Sequence, residues 1–174
     1  MKKLLIVVDM QKDFVDGALG TAEAVAIVER AAKKIRDFDG DCIATLDTHD
    51  ENYLQTGEGR NLPVLHCIRG TEGWRLAPAI EAALQGKNFS LLEKPTFGSM
   101  ELPRLIAEEY DINDLSVELI GLCTDICVVT NALLLKTAFP EMPITVDSTC
   151  CAGVTPEKHE AALETMRSCQ ISVC

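Results

Sequence analysis

No stretch of this chain approaches the roughly 18 consecutive apolar residues that a membrane span requires. The opening segment, MKKLLIVVDMQKDF, lacks the shape of a secretory signal, because its apolar run LLIVV is short and meets Asp9 at once. Positive charge is scarce: 16 Lys and Arg stand against 27 Asp and Glu, for a formal net charge of −11. Such a chain repels phosphate backbones and anionic lipid, so nucleic acid and membrane surfaces are excluded as first partners. Internal repeats, low-complexity tracts and long linkers are missing as well. There are eight cysteines but no two CxxC units, and Cys123 and Cys127 stand four apart, so a zinc-ribbon reading fails. Without a secretory signal the thiols are expected to be reduced, mostly buried as small apolar groups, in a cytoplasmic protein.

What is present is ordinary globular composition, with 47% apolar and 25% charged residues. The 174 residues suit one domain spanning 1–174. A chain of this size buries roughly 70% of its unfolded surface and needs no covalent staples. Lys3–Val8 reads as a strand buried on both faces. Ala24, Ile27, Val28, Ala31 and Ile35 recur at helical spacing and predict a helix over Thr21–Phe38, ended by Asp39-Gly40. Further strands are expected at Cys42–Leu46, Leu91–Leu92, Leu115–Ile120, Ile144–Val146 and Ile171–Val173. Helices are expected at Pro78–Leu84, Pro103–Glu108, Asp125–Thr137 and Pro156–Ser168. Asp47–Thr71 reads as a long functional loop. The alternation predicts a three-layer α/β/α fold around a central, mostly parallel sheet. Ligands of such sheets sit beyond the carboxyl ends of the strands. Attention therefore falls on Asp9, on Asp47 with His49, on Lys94, and on Gly121 to Cys127.

Taken singly these residues say little. A lone Asp9 reads as a cap or turn residue, a lone Lys94 as a solvated charge, and a lone Cys127 as core. Together they describe a chemistry. A helix start and a nearby ammonium both favour a thiolate at Cys127. Asp9 can serve once as acid and once as base, and backbone N–H groups at the helix start can hold an oxyanion.

The motifs carry a resemblance. VVDMQKDF, EKPTFGS and GLCTDICV, in that order at strand ends, resemble the three motifs of the isochorismatase-like cysteine hydrolases, and among them those of nicotinamidases and related amidases. The resemblance implies that Asp9 is the catalytic acid, Lys94 the catalytic lysine and Cys127 the nucleophile. It also implies a cis peptide at Leu122–Cys123, with the N–H groups of Cys123 and Cys127 lining an oxyanion hole. Members that cleave ethers without a covalent step lack the cysteine, so its presence points to amide hydrolysis through a thioester.

Two of only three histidines, His49 and His66, lie in the 47–71 loop with Asp47 and Glu58. His and carboxylate ligands suit Zn²⁺, Mn²⁺ or Fe²⁺. Spacing alone leaves loop capping and solvated imidazoles equally open. The resemblance implies that Asp47, His49, Glu58 and His66 hold one divalent ion per chain, Zn²⁺ ahead of Mn²⁺ or Fe²⁺, and that the ion fixes a pyridine ring nitrogen. Phe14 and Phe97 match aromatic wall positions of the substrate site. The Trp or Phe that many nicotinamidases carry before the last histidine is replaced here by Asn61-Leu62-Pro63-Val64-Leu65. Trp74 is expected to pack the loop or meet another subunit, and His159 to lie solvated on a polar helix face. The first expectation is hydrolysis of nicotinamide to nicotinate and ammonia by a homo-oligomer. The alternatives are an amidase acting on a carbamoyl or ureido compound, and a non-catalytic binding protein on the same fold.

Overall fold

Leu5 and Val7 of the first strand point into one apolar cluster, while Leu4, Ile6 and Val8 point into another. That alternation is what a central strand imposes when both of its faces are covered. The structure is a computed structural model describing all residues, 1–174. Its strands are β1 (Lys2–Val8), β2 (Asp41–Asp47), β3 (Phe89–Lys94), β4 (Leu115–Leu122), β5 (Ile144–Ala152) and β6 (Ser172–Val173). They form one six-stranded sheet in the order β3-β2-β1-β4-β5-β6, and every pairing is parallel. The expected sheet was mostly parallel; this one is wholly so.

The helices are α1 (Lys12–Val15), α2 (Ala22–Asp37), α3 (Gly57–Asn61), α4 (Pro78–Leu84), α5 (Glu101–Glu109), α6 (Val129–Ala138) and α7 (Pro156–Ser168). Ala24, Ile27, Ala31 and Ile35 of α2 and Ile80 and Leu84 of α4 complete the first cluster. Leu102 and Ile106 of α5, Leu135 of α6 and Met166 of α7 complete the second, which makes three layers. Local chemistry fixes the helix starts. The Thr21 hydroxyl accepts the Ala24 N–H at 3.0 Å, and the Thr155 hydroxyl accepts that of Lys158 at 3.3 Å. No helix is long and apolar enough to cross a membrane.

Two features place the site. The strand order reverses between β1 and β4, so a crevice opens where Asp9 leaves β1 and Cys123 leaves β4. Parallel register then sets Val8 opposite Gly121 and Asp47 opposite Lys94, which puts these strand ends at one level. Gly121 has a φ of 122°, and a Cβ there would stand 2.1 Å from the Val8 carbonyl oxygen, so only glycine allows the approach. Asp9 turns the chain sharply with a φ of 46°, a conformation that Asp tolerates better than most residues.

Three elements differ from the sequence reading. β5 runs on to Ala152, six residues past the expected end, because Asp147 is paired with Lys34 at 3.0 Å and so remains in the strand. The 47–71 loop contains a 3₁₀ turn at Tyr53–Gln55 and the short helix α3, capped by Thr56. The expected helix over Asp125–Thr137 begins instead as a wide π turn, Thr124–Val128, in which the Val128 N–H reaches back five residues to the Cys123 carbonyl at 3.1 Å.

Candidate active site

Asp9, Lys94 and Cys127 come from three different strand ends and converge. The Lys94 ammonium lies 2.6 Å from Asp9 Oδ2 and 3.5 Å from Cys127 Sγ. All three are buried. Lys94 also donates to the Thr96 carbonyl at 3.0 Å and stands 3.4 Å from Asp47 Oδ1. Asp9 Oδ1 accepts the Thr45 hydroxyl at 2.6 Å. Its Oδ2 is the oxygen that faces the Lys94 ammonium.

The electrostatics reverse one expectation. Burial pushes the Cys127 thiol well up, the Asp9 carboxylate adds to this, and Lys94 opposes both. Burial and Asp9 thus work against the thiolate that the helix start and Lys94 were expected to favour. Burial also raises the Asp9 carboxyl, with Lys94 pulling the other way. Lys94 is shifted upward, since its anionic neighbours, Asp9 first, outweigh the effect of its own burial. A buried ammonium thus stands against both acids.

A second group lies beside it. Asp47, His49, Glu58 and His66 offer donor atoms that all lie within 4.8 Å of one another. Neighbouring donors are 3.0 Å apart for His49 Nε2 and Asp47 Oδ2, 3.6 Å for His49 Nε2 and Glu58 Oε1, and 3.9 Å for His66 Nε2 and Glu58 Oε1. An ion with bonds of about 2.0–2.2 Å spaces its ligands at about 3.0–3.6 Å, so the two pairs on His49 match a divalent cation of this class and the His66–Glu58 pair is slightly wide of it. His66 Nδ1 faces the Val64 carbonyl at 2.8 Å, which places its proton there and leaves Nε2 as the lone-pair donor. Asp47 is held well below the usual carboxylate range: burial opposes this, but the neighbouring His49 and His66 and the Lys94 charge prevail.

Gln11, Asp13 and Tyr53, which the sequence reading passed over, help build this group. Gln11 is fully buried; its Oε1 accepts the Asp47 N–H at 2.8 Å and its Nε2 donates to the carbonyls of Asp47 and Trp74. Asp13 accepts the Cys67 N–H at 2.8 Å, next to His66. The Tyr53 ring packs on both imidazoles, with centroids 4.6 Å from His49 and 4.9 Å from His66. Trp74 packs the loop, and its indole N–H donates to the Thr48 hydroxyl at 2.9 Å. The signal for Gln11 and Asp13 was present, because QKDF follows Asp9 within the same motif.

Cys127 and Cys123 line a cavity of about 290 Å³, a size for a small molecule. Asp47, Glu58 and His66 line the same cavity, and Phe14 and Phe97 are on its wall. Leu62 supplies aliphatic wall from the segment that precedes His66. The Leu122–Cys123 peptide is cis.

Asn131, fully buried on α6, ties the Thr124–Val128 turn to the loop after β3. Its amide donates to the carbonyls of Cys127 at 2.8 Å and Phe97 at 3.2 Å and accepts the Ser99 N–H at 3.0 Å. Asn131→Ala strands all three groups. It is expected to lower unfolding free energy by about 2–4 kcal/mol, read from urea denaturation. A loss under about 0.5 kcal/mol would mean that the tie is not structural. His159 departs from expectation too: its Nδ1 shares a 2.8 Å hydrogen bond with the buried Thr124 hydroxyl.

Comparison with known proteins adds to this geometry. A family model described as the isochorismatase domain matches residues 3–174. A Bacillus subtilis (strain 168) protein, named uncharacterized isochorismatase family protein PncA, is 35% identical over 146 residues, covering 76% of this chain and 78% of that protein. The crystal structure of the nicotinamidase/pyrazinamidase PncA from Bacillus subtilis superposes with a TM-score of 0.87 at 28% identity, covering 100% of both chains. A pyrazinamidase of Pyrococcus horikoshii, solved in complex with zinc, superposes with a TM-score of 0.79 at 27% identity, covering 100% of this chain and 99% of that one.

Proposed function

The chain belongs to the isochorismatase family, and on that premise we propose that it is an amidase that hydrolyses nicotinamide to nicotinate and ammonia through a Cys127 thioester. One observation carries the proposal. A single small cavity exposes Cys127 together with Asp47, Glu58 and His66, and the Lys94–Asp9 pair is buried against the nucleophile.

The steps follow from the charges. Asp9, whose carboxyl is hydrogen-bonded to the same Lys94 ammonium that faces the sulfur, takes the thiol proton as sulfur attacks the carboxamide carbon. Lys94 stabilises the thiolate formed at 3.5 Å. The N–H groups of Cys123 and Cys127 hold the oxyanion. As the C–N bond breaks, Asp9 passes its proton to the leaving nitrogen, which departs as ammonia. Asp9 then takes a proton from water as the hydroxide attacks the thioester. The C–S bond breaks, the acid leaves, and the proton returns to sulfur. Asp47, His49, Glu58 and His66 would hold the divalent ion, and that ion supplies a coordination point for a heteroaromatic ring nitrogen. Phe14 and Phe97 flank the ring.

Ammonia release over a panel of amides, nicotinamide first, tests the activity. No release from any amide would leave a binding protein on the same fold. The aliphatic wall at Leu62 supports a second reading, an amidase for a carbamoyl or ureido compound, which turnover of those amides and not of nicotinamide would establish. The quartet has its own test. Stripping with a chelator should lower nicotinamide turnover at least about 100-fold, with Zn²⁺, Mn²⁺ or Fe²⁺ restoring it, and His49→Ala should behave as the stripped protein does. Saturating metal at about 100 times its Kd should stabilise the fold by about 2.7 kcal/mol, visible as a rise in Tm. Elemental analysis well below one metal per chain after reconstitution would move the reading to a metal-free amidase.

A further inference from the structure

Thr124 lies between the two residues whose N–H groups are assigned to the oxyanion, and its side chain is fully buried. A buried hydroxyl needs a partner, and the partner here is His159 Nδ1 at 2.8 Å. His159 stands in the first turn of α7, far along the chain and outside all three motifs. A second tie runs beside it: Asp125 Oδ1 accepts the Val154 N–H at 2.9 Å, just before α7. The two surfaces are pressed together, since a Cβ on Gly153 would stand 2.8 Å from His159 N and 3.0 Å from Asp125 Oδ1. The start of α7 is thus a buttress laid against the nucleophile turn. His159 supplies its side-chain contact, and the Val154 backbone supplies the other.

We propose that His159 is a positioning residue for the oxyanion-holding peptide groups: through Thr124 it fixes the backbone of Cys123 and Cys127 at the angle acyl transfer requires. The inference rests on the thioester reading above. Its physical basis is the difference between what a fold and what a reaction tolerates. His159 is only half-buried, so loss of one hydrogen bond leaves the sheet and its two clusters intact. Donors aimed at a developing charge lose their effect with small displacements.

Two reactions of the same sulfur separate this role from general support. Amide hydrolysis builds an oxyanion; alkylation of Cys127 by iodoacetamide is displacement at a saturated carbon and builds none. His159→Ala is expected to lower kcat for ammonia release about 10- to 100-fold, with KM and the alkylation rate within about twofold of the parent. Thr124→Val should give the same pattern, and the double variant should be no worse than either alone. His159→Asn, whose shorter side chain can still meet the hydroxyl, should recover part of the loss. An unchanged kcat in His159→Ala would overturn the proposal. So would an alkylation rate that falls in step with kcat, because that marks displacement of the whole turn. Absence of amidase activity in the parent protein overturns both this inference and the proposed function, whereas an active parent with an indifferent His159→Ala overturns this inference alone.

Discussion

Cys127→Ala is expected to lower kcat for ammonia release by about 10⁴-fold or more, the scale on which loss of a covalent nucleophile acts. The Cys127 side chain is the sulfur that both lines the cavity and stands 3.5 Å from the Lys94 ammonium. Removing one sulfur from a site with 5% exposure costs about 1 kcal/mol or less after relaxation, so the variant should fold and melt near the parent. Cys123 is the informative control. It also lines the cavity, but its thiol is pushed up to about 12, by burial first, and its assigned role lies in its backbone N–H. Cys123→Ala should keep kcat within about tenfold. Cys150 and Cys151 belong to the two apolar clusters, and their substitution should touch stability before activity. Mass spectrometry of the parent under turnover should show the acyl adduct on the peptide carrying Cys127. Retention of more than about a tenth of parental activity in Cys127→Ala would refute the thioester route.

The parts of the molecule that were legible in the sequence are those in which chemistry is local. Thr21 and Thr155 cap their helices, Pro78 and Pro156 start theirs, and the expected bounds of α4 and α7 match those observed. The strand ends were legible because parallel sheets place ligand groups there, and Asp9, Asp47 and Lys94 stand where that rule puts them. Partners distant in sequence were not legible. Asp147 reads as a strand breaker until Lys34 is seen beside it. Gln11, Asn131 and His159 are ordinary polar residues in the sequence, and only the fold gives them buried partners. The sign of the thiol shift failed for the same reason. Helix start and lysine could be read from order, but depth of burial and the closeness of Asp9 could not, and these two effects prevail.

That reversal sharpens the result expected for Asp9→Asn, in which two reactivities of one sulfur should move in opposite directions. Asparagine keeps the shape and can still face the Thr45 hydroxyl, but it neither accepts the thiol proton nor delivers one to the leaving nitrogen. Both halves of the reaction lose their proton carrier, and kcat should fall by about 10³-fold or more. The thiol meanwhile loses an anion. Burial still raises it, but the second contribution, the Asp9 charge, is gone, while the Lys94 ammonium remains and favours the thiolate. For an acid, removing a negative neighbour lowers the pKa, so the alkylation-against-pH curve of Asp9→Asn should shift toward lower pH. At neutral pH the variant should therefore alkylate faster than the parent even as it hydrolyses amide far more slowly. A collapsed site would slow both reactions. A curve that stays in place, or that moves to higher pH, would show that the Asp9 carboxylate is not the charge holding the proton on Cys127. The base would then have to be sought elsewhere, since no other buried carboxylate lies against the Lys94–Cys127 pair except Asp47, which is shared with the histidines.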